Sequence, residues 1–142
     1  GARDIDVAAY LPHSPLRVYA MGERGANQEP ATPEDLAKMR SLAAEAVKAG
    51  ALGFATSRLS IHKTADGGSI PSFETDVNEL AEICSGVTDA GSGTFQIVLD
   101  AFKGWDKEYR VIDAVVSASG IPATFTLASG NDAPPRLTPN SV

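Results

Sequence analysis

The sequence contains few of the residues that form disulfides and metal sites, with one cysteine and two histidines among 142 residues. The single cysteine, Cys84, excludes an intramolecular disulfide and therefore a disulfide-stabilised secreted scaffold. It ends the run Leu80–Cys84, which predicts a buried helical thiol and fits a reducing cytoplasm. His13 and His62 lie far apart and lack the spacing of zinc ligands, so we expect no metal ligands in this chain.

Long apolar runs and clusters of positive charge are also missing. No stretch of about 18 apolar residues is present, so no membrane contact is predicted. The net charge is −6 and the basic side chains are scattered, which argues against nucleic acid as a partner. The first six residues carry charges and no apolar run, so we expect no signal peptide there. No nucleophile elbow, P-loop or dinucleotide-binding glycine motif occurs.

Short apolar segments alternate with amphipathic ones along the chain. The apolar segments predict four strands, at residues 5–11, 51–56, 94–99 and 121–127. The amphipathic segments predict three helices, which begin at caps and end at glycines: Thr32 to Gly50, Thr75 to Gly91, and Asp106 to Gly120. Two prolines predict a loop at 12–15, and polar residues predict loops at 22–30 and 57–73.

The alternation of strands and helices predicts an α/β fold of consecutive parallel β/α units with right-handed crossovers. Two architectures satisfy it, an arc of a (β/α)8 barrel and a small doubly wound sheet. Long connections after the strands and short ones before them favour the arc. We expect residues 1–128 to form the partial barrel and residues 129–142 to be a loop or disordered tail. The open strand edges of an arc predict self-association.

Four sequence blocks resemble the N-acyl-D-amino-acid deacylases, the D-aminoacylase branch of the amidohydrolase superfamily. The blocks are His13–Arg24, Pro33–Met39, Glu45–Ser57 and Ile61–Gly68, and their order and spacing match as well. The likeness covers roughly residues 5–128 and weakens after Gly93. The chain is therefore interpreted as an internal fragment of such a protein.

This resemblance implies a metal-dependent hydrolase that cleaves a non-peptide carbon–nitrogen amide bond, with zinc bound in the full-length parent. The chain lacks the family's His-x-His pair, and it has Val98, Asp100 and Leu127 where family members place metal-site residues. We therefore expect this chain alone to be inactive and to need the remainder of the parent barrel as its partner. The alternative is a non-catalytic α/β domain used for assembly or small-ligand binding.

Polar residues that follow predicted strands are the candidates for a functional site, because barrel enzymes work at the carboxyl ends of their strands. Asp100 is the candidate catalytic carboxylate. Side chains near the strand ends and on the long loop are the candidate substrate-binding groups: His13, Arg17, Ser57, Arg58, His62, Lys63 and Gln96.

Overall fold

The fold was analysed in a computed structural model that describes residues 4–100, 102 and 104–126. These residues form an α/β fold with a four-stranded, all-parallel sheet, which confirms the predicted class. The strands are β1 (Leu11–Pro12), β2 (Gly53–Ser57), β3 (Thr94–Val98) and β4 (Ala123–Thr126). The helices are α1 (His13–Met21), α2 (Glu23–Ala26), α3 (Pro33–Lys48), α4 (Val77–Asp89) and α5 (Trp105–Ser119). The predicted tail, 129–142, lies outside the described residues.

The strands stand in the sheet in chain order, β1-β2-β3-β4, and each neighbouring pair is parallel. Along one row of the sheet, Ala55 is in register with Gln96, which is in register with Thr124. Helix α3 contacts α4, and α4 contacts α5. Of the helices in the described residues, none has the length and apolarity needed to cross a bilayer.

Helix α3 begins where its sequence predicts. The Thr32 Oγ1 atom accepts a hydrogen bond from the Asp35 amide at 3.2 Å, and the Asp35 carboxylate accepts one from the Thr32 amide at 2.9 Å. This reciprocal pair satisfies two amide groups that have no partner inside the helix. Pro33 follows at the first helical position, where a missing amide hydrogen costs nothing.

The predictions of a strand at residues 5–11 and a loop at residues 12–15 were wrong. The expected strand at residues 5–11 is reduced to β1, and Ile5 is 74% exposed. The expected loop at 12–15 instead contains the start of α1, which begins at His13. Pro15 is accepted there because amides in the first helical turn have no intrahelical partner to lose.

Smaller corrections concern the ends of other helices. Asp76, rather than Thr75, caps α4 and accepts a hydrogen bond from the Asn78 amide at 2.7 Å. Helix α5 begins at Trp105 after Gly104, rather than at a cap formed by Asp106. The short helix α2 lies within the segment 22–30 that was predicted to be a loop.

The hydrophobic core lies between the sheet and the helices. Alternate strand residues are fully buried in it, as shown by Phe54, Phe95 and Ile97. Residues between them point to the other side of the strands and are half-buried: Ala55, Ser57, Gln96 and Val98. Cys84 is fully buried in α4 as predicted, and burial raises its thiol pKa to about 12.

Helices α3 and α4 approach each other closely at Gly86. A Cβ atom at this position would lie 2.2 Å from the backbone carbonyl oxygen of Arg40 in α3. Because that neighbour is backbone, the two helices must separate before any side chain fits. The glycine therefore sets the distance between α3 and α4.

We predict that Gly86→Ala lowers the free energy of unfolding by about 1–3 kcal/mol, because a methyl group overpacks the helix contact. In an unconstrained helix the same change would stabilise by up to about 1 kcal/mol. Urea unfolding measures the difference, and Asn78→Ala on the exposed side of α4 is the control, with a change within about 0.5 kcal/mol. A stabilised Gly86→Ala variant would contradict the close contact.

Candidate functional site

The carboxyl ends of β1, β2 and β3 surround an open pocket of about 230 Å³. Its lining is largely apolar, and the polar residues that belong to it are His13, Ser14, Thr56, Ser57, Ser72 and Gln96. No aspartate, glutamate, lysine or arginine belongs to this lining within the described residues. The pocket therefore offers hydrogen bonds without a formal charge, apart from any charge on its imidazole.

Both histidines of the chain contact consecutive hydroxyl residues at the end of β2. His13 Nδ1 lies 2.8 Å from Thr56 Oγ1, and His62 Nδ1 lies 2.7 Å from Ser57 Oγ. Neighbouring strand residues point to opposite faces, so the two pairs lie on opposite sides of the sheet. Thr56 is buried with the helices, whereas Ser57 is half-buried on the other face.

The pair on the helix side is part of a buried polar network. His13 Nε2 lies 2.7 Å from Glu79 Oε1, and the Arg17 guanidinium donates to both Glu79 oxygens at 2.6 and 2.5 Å. Arg17 also donates to the backbone carbonyl of Glu29 at 2.6 Å. These contacts tie α1 to β2 and to the first turn of α4.

Burial and charge together determine the protonation states in this network. Burial lowers the pKa of His13 and outweighs the opposing attraction of Glu79, so the imidazole is neutral. Burial alone would raise the pKa of Glu79, but its hydrogen bonds with His13 and Arg17 and the Arg17 charge lower it. The neutral imidazole therefore donates a hydrogen bond from Nε2 to the Glu79 carboxylate and accepts one at Nδ1 from the Thr56 hydroxyl.

The pair on the open side is held by two turns after β2. The Leu59 amide donates to Ser57 Oγ at 3.2 Å, and the His62 amide donates to the Leu59 carbonyl at 3.1 Å. The Ser60 amide donates to the Asp100 carboxylate at 3.1 Å. The turn that carries His62 is thereby fastened to the end of the neighbouring strand.

Asp100 and Arg58 lie in a second buried cluster beside this turn. Asp100 is fully buried, and its carboxylate also accepts the Phe102 amide at 3.3 Å. The Arg58 Nε atom donates to both oxygens of the fully buried Glu108 at 3.2 and 3.1 Å. Glu108 in turn accepts the Asp100 amide at 3.3 Å. Both sequence candidates thus fix the loops around the pocket, and neither belongs to its lining.

The structure brings together four of the predicted site residues at the end of β2. His13, Ser57 and Gln96 line the pocket, and His62 contacts Ser57. Arg17 is buried in its ion pair with Glu79. Lys63 lies on the long loop, where its backbone forms an isolated antiparallel bridge with Ser69.

Sequence reasoning missed Thr56, Ser72 and Glu79. For Glu79 a signal was present, because it precedes Ile83 and Val87 by one and two helical turns on the apolar side of α4. A charged residue on such a stripe indicates a buried partner. Thr56 and Ser72 gave no comparable signal, since hydroxyl residues are common in strands and loops.

Within the described residues, no group of three or more histidine, cysteine, aspartate or glutamate side chains is arranged to hold a metal ion. The pocket lining offers a single imidazole, and both nitrogens of that imidazole are engaged by Thr56 and Glu79. This lining does not fit zinc, which requires at least three protein ligands.

No protein-family model, no curated protein and no solved structure matches the chain. The resemblance to D-aminoacylases therefore remains a prediction from the four sequence blocks.

We predict that Arg17→Ala lowers the free energy of unfolding by about 3–5 kcal/mol, because it leaves the Glu79 charge buried without its partner. The matched control is Arg40→Ala, which removes an equally well-paired arginine from the surface. Exposed pairs contribute about 0–1 kcal/mol, so the control changes little. Equal losses in urea unfolding of both variants would contradict the buried network.

The neutral His13 imidazole also predicts a dependence of stability on pH. Its folded pKa is below the ordinary value of about 6.5, so the unfolded chain binds a proton first as the pH falls. Stability from this group is complete above pH 6.5 and decreases below it, by at most about 1.4 kcal/mol per pH unit.

Urea unfolding between pH 7 and pH 5 tests this linkage. His13→Gln should remove this component of the decrease, whereas His62→Gln, which changes the exposed histidine, should retain it. An unchanged slope in His13→Gln would show that His13 is not buried in its neutral form.

Proposed function

We propose that the chain is a β/α-barrel segment of an amidohydrolase that resembles the N-acyl-D-amino-acid deacylases and cleaves a non-peptide carbon–nitrogen amide bond. The observation that carries the proposal is the uncharged pocket at the carboxyl ends of β1, β2 and β3, whose lining is largely apolar and includes a few polar side chains. Barrel enzymes bind their substrates at this end of their strands. The resemblance supplies the amide as the substrate class.

The order of the strands supports the barrel arc over the doubly wound sheet. Doubly wound sheets reverse their strand order and carry helices on both faces. Here the four strands follow chain order, and right-handed crossovers then place all connecting helices on one face. The serial contacts of α3, α4 and α5 agree with that arrangement. The opposite face, with Ser57 and Gln96, would become the barrel interior.

The chemistry of the pocket suits a neutral acylated group. The Ser14 hydroxyl donates to the Ser72 hydroxyl at 2.9 Å and accepts the Ser72 amide at 3.2 Å. The Gln96 carboxamide and the Ser57 hydroxyl stand on neighbouring strands of the same wall. Such groups can donate to an amide carbonyl and accept from an amide N–H.

Zinc in the parent enzyme is a further part of the proposal. The pocket lining of this chain does not fit the ion, so the zinc ligands would have to lie in the remainder of the barrel. When bound, zinc would polarise the amide carbonyl and activate water. This chain's own residues would then bind and orient the acyl group.

The number of strands supports the expectation that the chain alone does not hydrolyse amides, because the described strands are too few to close a barrel. A (β/α)8 barrel closes with eight strands, and the described residues supply four. The outer edges of β1 and β4 have no strand partner in the described part of the chain. We propose the remainder of the parent barrel as the partner at both edges.

The alternative function is a non-catalytic α/β domain for assembly or small-ligand binding. The two open edges favour it, together with large apolar side chains that remain exposed. Tyr19 is 73% exposed on α1, and Val7 is 65% exposed before β1. Assembly through the same edges would be self-association rather than completion of a parent barrel.

The test compares the full-length protein with residues 1–142, using N-acetylated D- and L-amino acids in the presence of zinc. We expect the full-length protein to release free amine and residues 1–142 to release none. Gln96→Leu in the full-length protein should lower kcat/KM about 3- to 10-fold, because one hydrogen bond to the acyl group is lost.

Asn78→Leu is the matched control for this test, since it removes the carboxamide of an exposed residue on α4 that lies outside the pocket. Its kcat/KM should equal the wild-type value. Absence of amine release by the full-length protein would overturn the proposal. Amine release by residues 1–142 alone would refute the need for a completed barrel.

A further inference from the structure

We propose that Ser57 is a nucleophile, with His62 as its general base, that accepts acyl groups from activated carboxylic esters without a metal ion. This activity goes beyond the amide hydrolysis proposed for the parent, because it needs only the residues described here. It rests on the geometry of the pair, on its anchoring and on its place in the pocket.

The geometry meets the first requirement of nucleophilic catalysis, a hydroxyl within hydrogen-bond reach of an imidazole. The Ser57 Oγ and His62 Nδ1 atoms are 2.7 Å apart. The Leu59 amide points at the same oxygen from 3.2 Å and would stabilise negative charge that develops on it. Ser57 lines the pocket, so an ester bound there would meet its hydroxyl.

The backbone that carries His62 is anchored beside Ser57. It is fixed by the turn to Leu59, and the same turn is held by Asp100 through the Ser60 amide. Asp100 is fully buried. A base carried by a hydrogen-bonded turn loses less backbone entropy when it acts.

The pocket also contains a donor for the charge that forms on the ester carbonyl oxygen. Gln96 lies on the strand next to Ser57, and its carboxamide belongs to the same uncharged lining. A carboxamide N–H is one of the groups that stabilise such an oxyanion. Without a fixed negative charge in the lining, the developing anion is not repelled.

The proposed reaction begins when Ser57 Oγ forms a bond to the ester carbonyl carbon. Its hydroxyl proton moves to His62 Nδ1. The bond between the carbonyl carbon and the leaving oxygen then breaks, and His62 returns the proton to the leaving group. Water attacks the acyl-serine with His62 as base, which releases the carboxylic acid and restores Ser57.

The difference in solvent exposure is the reason that Ser57, and not the neighbouring Thr56, is assigned this role. Thr56 contacts His13, which in turn contacts Glu79, so the His13 imidazole is better oriented than the His62 imidazole. However, Thr56 is only 6% exposed, and His13 is only 2% exposed. An ester can therefore reach the half-buried Ser57 more readily than the buried Thr56.

The experiment treats residues 1–142 with p-nitrophenyl acetate in the presence of a metal chelator. Release of p-nitrophenolate is followed by absorbance, and the acetylated residue is located by mass spectrometry of peptides. We expect one acetyl group on Ser57. His62→Gln should slow its formation by at least about 100-fold, the usual contribution of a general base.

Ser60→Ala is the matched control, since it removes a hydroxyl from the same turn and leaves the backbone contact to Asp100 in place. It should acetylate at the wild-type rate, and circular dichroism should show the same fold for all variants. The proposal would be overturned if acid-quenched samples of the wild-type chain held no acetylated Ser57 and the chain also released p-nitrophenolate no faster than Ser57→Ala. An equal rate of Ser57 acetylation in His62→Gln would also overturn it.

Discussion

The ion pair between Arg17 and Glu79 is the interaction on which the carboxyl end of the sheet depends. It joins α1 to the first turn of α4, and His13 extends the network to Thr56 at the end of β2. Charges buried this deeply are stable only while both partners are present. The placement of the pocket therefore rests on a few polar side chains from three elements.

Side chains alternate between the two faces of β2, so its last two residues have different roles. One completes the buried network, and the other is the proposed nucleophile. Thr56 turns inward and completes the buried network, whereas Ser57 turns to the open face and contacts His62. Asp100 and Arg58, which the sequence predicted as catalytic and binding residues, instead stabilise this arrangement through buried contacts. Their buried contacts fix the turn that presents His62.

Local signals predicted the parts of the fold that local chemistry determines. The capping residues Thr32 and Asp35 are three positions apart, so the start of α3 could be predicted from sequence. The apolar segment 5–11 was predicted as a buried strand, but most of it lacks the neighbours that would bury it. The position of Ser57 just past the predicted strand was sufficient to place it at the carboxyl end of the sheet, where it ends β2. The partner of Glu79 was not predictable, because Arg17 lies 62 residues earlier.

The most direct test of this account is the ¹⁵N NMR spectrum of the Arg17 guanidinium in the wild-type protein. Bonds to the Glu79 carboxylate and to the Glu29 carbonyl should stop rotation of the guanidinium, so its Nη hydrogens should give separate, slowly exchanging signals at 25 °C. A single averaged signal in fast exchange with water would show that the ion pair is not formed, and the network built on it would be contradicted.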